Sequence, residues 1–185
     1  MKKYLILLLF ILSACAFTQQ SRFYRLQPMT DNAAISSRKI SVGVEEVSVP
    51  RYADRPQIVL VDKDTSELTV SEFNRWGEPL TSSITRVLAD DISSYLPNAL
   101  VKPKNYSMES FNYTISVEIN KFDSTIDKKA SLDAWWTIFK NGSIAARGRT
   151  TLSSTPAQGY DGVVNEQSKL LNEMAQQIAQ KIAKL

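Results

Sequence analysis

No histidine occurs anywhere in the 185 residues. That removes the commonest general base, the usual zinc and iron ligand, and every Ser-His or Cys-His nucleophile pair. Only six glycines are present, and none falls in a GxxxxGKS/T or GxGxxG phosphate loop or a GxSxG nucleophile elbow. One cysteine, Cys15, allows no intramolecular disulfide. Charge of one sign is also lacking: without Lys2 and Lys3, which open an amino-terminal stretch patterned as a cleaved leader, 20 basic residues face 19 acidic ones. The basic balance therefore points neither to nucleic acid nor to anionic lipid. No catalytic residue, cofactor or metal site is expected, although an enzyme built on carboxylates alone stays conceivable.

The amino terminus is patterned for targeting. Lys2 and Lys3 precede an apolar run from Tyr4 to Leu12, and Leu12-Ser13-Ala14-Cys15 closes it with small residues before the cysteine. This resembles the lipobox of bacterial lipoproteins, whose cysteine is acylated and becomes the mature N-terminus. An ordinary signal peptide or a short anchor is the alternative, but the run falls short of the ~20 residues a spanning helix needs. Ala16, where aspartate would signal retention, favours the outer membrane by resemblance to the sorting rule of enteric-type bacteria. The expected organisation is a signal peptide over 1–14, a lipidated N-terminus and tether over 15–36, and one α/β domain over 37–185. Within the tether, Phe23-Tyr24-Arg25-Leu26 reads as a strand joining the sheet, with tether throughout as the other option.

The rest alternates between two periods. Ile40, Val42, Val44 and Val47 mark a strand; Ile58 to Val61 and Glu67 to Val70 mark two more, around a turn at 62–66. Pro50 and Pro56 predict an edge strand or an extended crossing loop. After Pro79, in the first turn, Leu80, Ile84, Val87, Leu88, Ile92, Tyr95 and Leu96 form one helical stripe ending at Pro97. Arg86, Asp90 and Asp91 fall off it and are expected in solvent. Tyr113, Ile115, Val117 and Ile119 share a strand face, with Phe122 displaced by one, as at a bulge or the strand end. Leu132, Ala134, Trp136 and Ile138 share the next, leaving Trp135 and Phe139 opposite, so that strand is expected to be central and covered on both sides, its second face by a helix or, as the alternatives, a partner interface or a lipid-facing groove. Asn141-Gly142 signals a type I′ hairpin, and a last helix runs from about Val163 to Ala183. The sum is a mixed, mostly antiparallel sheet packed with two long helices.

Arg51, Tyr52, Asp54, Arg55, Arg75 and Trp76 are the candidate partner-binding residues, because arginine and aromatic side chains on irregular backbone make interface anchors. The alternative is a clamp in which Arg55 or Arg75 pairs with Asp54 or Glu78.

Val49 to Val59 (VPRYADRPQIV), Phe73 to Leu80 (FNRWGEPL), Ile84 to Ile92 (ITRVLADDI) and Tyr113 to Asp123 (YTISVEINKFD) together resemble the PqiC/YmbA-like family of ABC-type transport auxiliary lipoproteins. Ala53 stands where leucine is common there, and Gly77 where alanine is. The resemblance implies an α/β sandwich and no catalysis. It also implies partnership with an inner-membrane permease and a periplasmic MCE-domain protein in moving lipid between membranes, with a homo-oligomeric ring as an option. A stand-alone lipid-binding module and a purely structural envelope lipoprotein are the competing readings.

Overall fold

Runs of alternating apolar residues become strands and the two apolar stripes become helices, in the predicted order. The computed structural model describes residues 19–29, 31–62, 65–104, 110–126, 129–154 and 158–185; the leader reading over 1–14 and the lipidation of Cys15 lie outside them. The elements are β1 (Arg22–Tyr24), β2 (Ser41–Val44), β3 (Gln57–Val61), β4 (Leu68–Trp76), α1 (Leu80–Tyr95), β5 (Leu100–Pro103), β6 (Tyr113–Thr125), β7 (Lys129–Lys140), β8 (Ser143–Ser154) and α2 (Gly159–Ala183). This is the expected mixed α/β domain, its strands divided between two sheets. The larger is ordered β5-β2-β6-β7-β8 and the smaller β1-β4-β3.

In the larger sheet β5, β2 and β6 run parallel, while β6, β7 and β8 are antiparallel. Parallel neighbours need a crossover; between β2 and β5 it consists of the small-sheet strands β3 and β4 followed by α1. The β7–β8 hairpin turns at Asn141 and Gly142 with φ of 50° and 79°, the positive pair a type I′ turn demands and these two residues tolerate. The bulge read from Phe122 is present: Ile119 pairs with Ala134 and Lys121 with Asp133, so Asn120 is the extra residue. It returns Phe122 to the inner face, where it is buried.

Both helices bury their stripes against the same side of the large sheet, with Leu80, Ile84, Val87, Leu88, Ile92 and Tyr95 of α1 all in the core. Each such side chain contributes roughly 1.5–3 kcal/mol of transfer free energy. Some polar groups caught in the seam are bonded: Tyr95 Oη donates to Asn172 Oδ1 at 2.8 Å, and Val47 N–H donates to Thr85 Oγ1 at 3.0 Å. The segment after β1 straps across the helices. Leu26 is fully buried, Gln27 N–H donates to Ser168 Oγ at 3.2 Å, Met29 N–H to Asp91 Oδ1 at 2.6 Å, and Ile35 N–H to the Tyr95 carbonyl at 2.8 Å.

Five expectations are corrected. The 50–56 segment crosses between the sheets but is compact, because the Pro50 carbonyl accepts the N–H groups of Ala53 and Asp54. β4 continues past Val70 to Trp76, and α2 starts at Gly159, four residues early. Asp91 is not in solvent; it is fully buried, since the strap covers it. Trp135 has no helix over it and is 49% exposed. Arg149, directly opposite on β8, lies 5.3 Å from its ring centroid. Asp133 holds that guanidinium through two bonds of 2.8 and 2.9 Å, so a cation over the ring takes the place of the expected helix.

Candidate partner-binding groove

The candidate residues gather where the compact turn meets the end of β4. Trp76 N–H donates to the Pro56 carbonyl at 2.7 Å, and Gly77 N–H to the Tyr24 carbonyl at 2.7 Å, tying turn, β4 and β1 together. Pro79 then caps α1 with φ of −53° and ψ of 131°; its missing N–H costs nothing outside the helix, one position before the first turn it was assigned. Between these pieces lies a groove of about 410 Å³, lined by Asp54, Arg55 and Pro56 from the turn, Trp76 from β4, and Glu78 to Leu80 at the head of α1. Its volume is in the range of ligand and peptide clefts. Proline and tryptophan supply apolar wall; Asp54, Arg55 and Glu78 supply charge.

Glu78 is clamped by a residue other than those the sequence suggested. Burial alone would raise its carboxyl, but Arg86 at 2.6 Å and Ser83 at 2.9 Å donate to Oε1 and, with the Arg86 charge, hold it below the ordinary value. Arg86, expected in solvent, thus bridges Glu78 to Asp90, 3.8 Å away, and fixes the groove wall to α1. The Arg55–Asp54 and Arg75–Glu78 pairings of the clamp reading are not formed among the described residues.

Tyr52 turns away from the groove and donates from its hydroxyl to the Asp123 carboxylate on β6. Burial raises the phenol pKa, and the Asp123 bond and charge raise it further. This bond pins the turn to the large sheet. Tyr52→Phe removes it while keeping the ring, so urea unfolding should show a loss of about 1.5–3 kcal/mol, as for a hydrogen bond to a charged group. A loss within 0.3 kcal/mol would mean the turn is held by packing alone.

The structure thus brings Asp54, Arg55 and Trp76 together, with Trp76 mostly buried beneath the groove. Arg51 is exposed on the turn outside it. Arg75 points off the other face of β4, its Nε donating to the Glu72 carbonyl at 3.3 Å. Sequence reasoning missed Asp123 and the Glu78–Arg86 pair; the first has no local signal, and the second joins residues eight apart across a helix start. Among the described residues no group of acidic or cysteine side chains could hold a metal ion, and no helix is long and apolar enough to cross a membrane.

A family profile described as ABC-type transport auxiliary lipoprotein component matches residues 24–179. The crystal structure of an uncharacterised protein superposes with a TM-score of 0.75 at 22% identity, over 89% of this chain and 99% of its own. A Xanthomonas campestris protein superposes with a TM-score of 0.68 at 16% identity, over 89% of this chain and 95% of its own. At these identities the likeness is one of fold. No curated protein sequence matches the chain.

Proposed function

This chain belongs to the ABC-type transport auxiliary lipoprotein component family, and from that premise we propose that it is the outer-membrane-anchored, non-catalytic subunit of an MCE/ABC-type system that moves lipid between membranes. In this reading residues 1–14 are a cleaved signal peptide, Cys15 carries the acyl chains and the residues between it and β1 lead from the bilayer; the docking domain starts at β1, since β1 and Leu26 pack into the fold ahead of the boundary at 37 expected from the sequence. A single acyl chain binds a bilayer only marginally, so the several chains of a lipoprotein cysteine are what make the anchor stable. The domain docks to the periplasmic MCE-domain protein, which is itself coupled to an inner-membrane permease, and supports envelope integrity by completing that route.

The docking part rests on the groove: an apolar cleft with Arg55 and Asp54 on its rim, built around Trp76, has the anchor-and-rim composition of an interface hot spot. Arg51, exposed on the same turn, belongs to the proposed contact region; Tyr52 supports the turn from behind through Asp123, and Arg75, on the other face of β4, lies outside it. Capture of the MCE partner from mildly solubilised envelopes tests this. Arg55→Glu, alone or with Arg51→Glu, should reduce recovery at least tenfold while the urea unfolding curve stays in place. Full recovery by both variants would take this groove out of the interface.

A further inference from the structure

We propose that the outer face of the small sheet, Phe23 with Arg25 and Arg75, rests on an anionic phospholipid surface. The inference rests on the acylation of Cys15 proposed above. Phe23 is 68% exposed, more than any other large apolar side chain among the described residues. It is held there by a strand: on β1, Tyr24 turns inward and donates from its hydroxyl to Asn74 Oδ1 at 3.1 Å, so alternation forces Phe23 outward. The parallel register sets Phe23 directly opposite Arg75, placing the two side chains on one face. Arg25, two residues on, lines the same shallow hollow as Phe23. The result is an exposed aromatic ring with one arginine opposite it in the sheet and another two positions along the chain, the pattern of a side chain that enters the headgroup layer while its neighbouring cations meet phosphate.

The charge around it is consistent with that partner. Arg22 is paired with Asp161 at 3.0 Å and Glu78 with Arg86, although the Arg25 charge also acts on Glu78; Glu72 is exposed beside Arg75. Distance points to the same surface. Six residues separate Cys15 from Arg22, which limits β1 to about 25 Å from the acylated sulfur even if that stretch is fully extended. An apolar ring that could not hold a protein on a membrane by itself then acts at high effective concentration, and it sets orientation more than affinity. With Phe23 down, the groove beside Tyr24 and Trp76 lies close to the bilayer. The β7–β8 hairpin projects away, since β6 carries thirteen residues from Thr125, bonded to Val61 of the small sheet, to Tyr113 beneath that hairpin.

The test uses the full acylated chain bound to vesicles of phosphatidylethanolamine and phosphatidylglycerol. The Cys15 thiol is taken up by its acyl linkage, so Phe23→Cys and, separately, Ile144→Cys each give one site for an environment-sensitive fluorophore. A lipid spin-labelled just below the headgroups should quench the probe at 23 at least threefold more than the probe at 144, and Arg25→Glu with Arg75→Glu should abolish the difference. Equal quenching in chains that float with the vesicles would overturn the proposal and leave the anchor standing. Chains that do not float would overturn the anchor and this proposal together.

Discussion

Gly148→Ala is expected to lower the unfolding free energy by about 1–3 kcal/mol, a large effect for one methyl group in a sheet. Gly148 on β8 sits opposite Trp136 on β7, and the indole lies flat over it. A Cβ at position 148 would stand 2.1 Å from Trp136 Cζ2 and 2.5 Å from Cη2, well inside contact distance. The ring cannot step aside freely, because its Nε1–H donates to Thr150 Oγ1 at 3.1 Å and Thr150 donates in turn to Gln177 Oε1 on α2 at 2.7 Å. Either β8 retreats, at the 1–3 kcal/mol typical of overpacking, or the indole moves and leaves a buried donor unpaired at a comparable cost. A double-mutant cycle in urea, followed by far-ultraviolet circular dichroism, checks the cause. In a Trp136→Leu background Gly148→Ala should be neutral or slightly stabilising, since alanine suits a strand better than glycine. Costs that add to within about 0.5 kcal/mol would remove the ring-on-glycine contact as the explanation.

The same contact shows what sequence can and cannot disclose. Trp136 was legible as a core residue from alternation, and so was the displaced Phe122, because a period of two is a local property of the strand. Asn141-Gly142 was legible because positive φ is a demand that few residues meet. What stayed hidden depends on a partner far along the chain. The turn at 50–56 closes because a proline carbonyl finds two N–H donors, which a proline rule phrased in terms of missing donors does not foresee. Trp135 goes without a helix because Arg149, fourteen positions away, is placed over it by the hairpin register. The candidate groove was half legible. Asp54, Arg55 and Trp76 do converge, yet the same alternation that sends Trp76 under the groove sends Arg75 to the opposite face, where Phe23 meets it. The split into two sheets was not foreseeable, since it follows from β4 pairing with β1 on one side and β3 on the other.

Asp91 is the most consequential of the hidden residues, and it should make the protein lose stability as pH rises toward neutrality. Burial pushes its carboxyl up to about 6; the Met29 N–H and nearby Asn172 pull it down and the Asp90 charge adds to the rise, without reversing the balance. Oδ2 and the Nδ2 of Asn172 both lack a hydrogen-bond partner, so the charged form is poorly compensated. A carboxyl raised in the folded state binds its proton more tightly there than in the unfolded chain, whose value is ordinary. Its stabilising contribution is therefore fully present below about pH 4, shrinks between pH 4 and 6, and is gone above that range. With an ordinary value of 3.8 and 1.36 kcal/mol per unit, the whole change is about 3 kcal/mol, of which about 1 kcal/mol falls between pH 5 and pH 7. Asp91→Asn keeps an acceptor for Met29 and removes the proton equilibrium. Urea titrations should find it more stable than wild type at pH 7 by about 1–3 kcal/mol and close to wild type at pH 4. Asp91→Leu, which strands the Met29 N–H, should lose about 1–3 kcal/mol at pH 4, where the wild-type carboxyl is neutral. If the wild-type and Asp91→Asn curves run parallel from pH 4 to pH 7, the carboxyl is wet, and the strap at Met29 does not seal it against the helix.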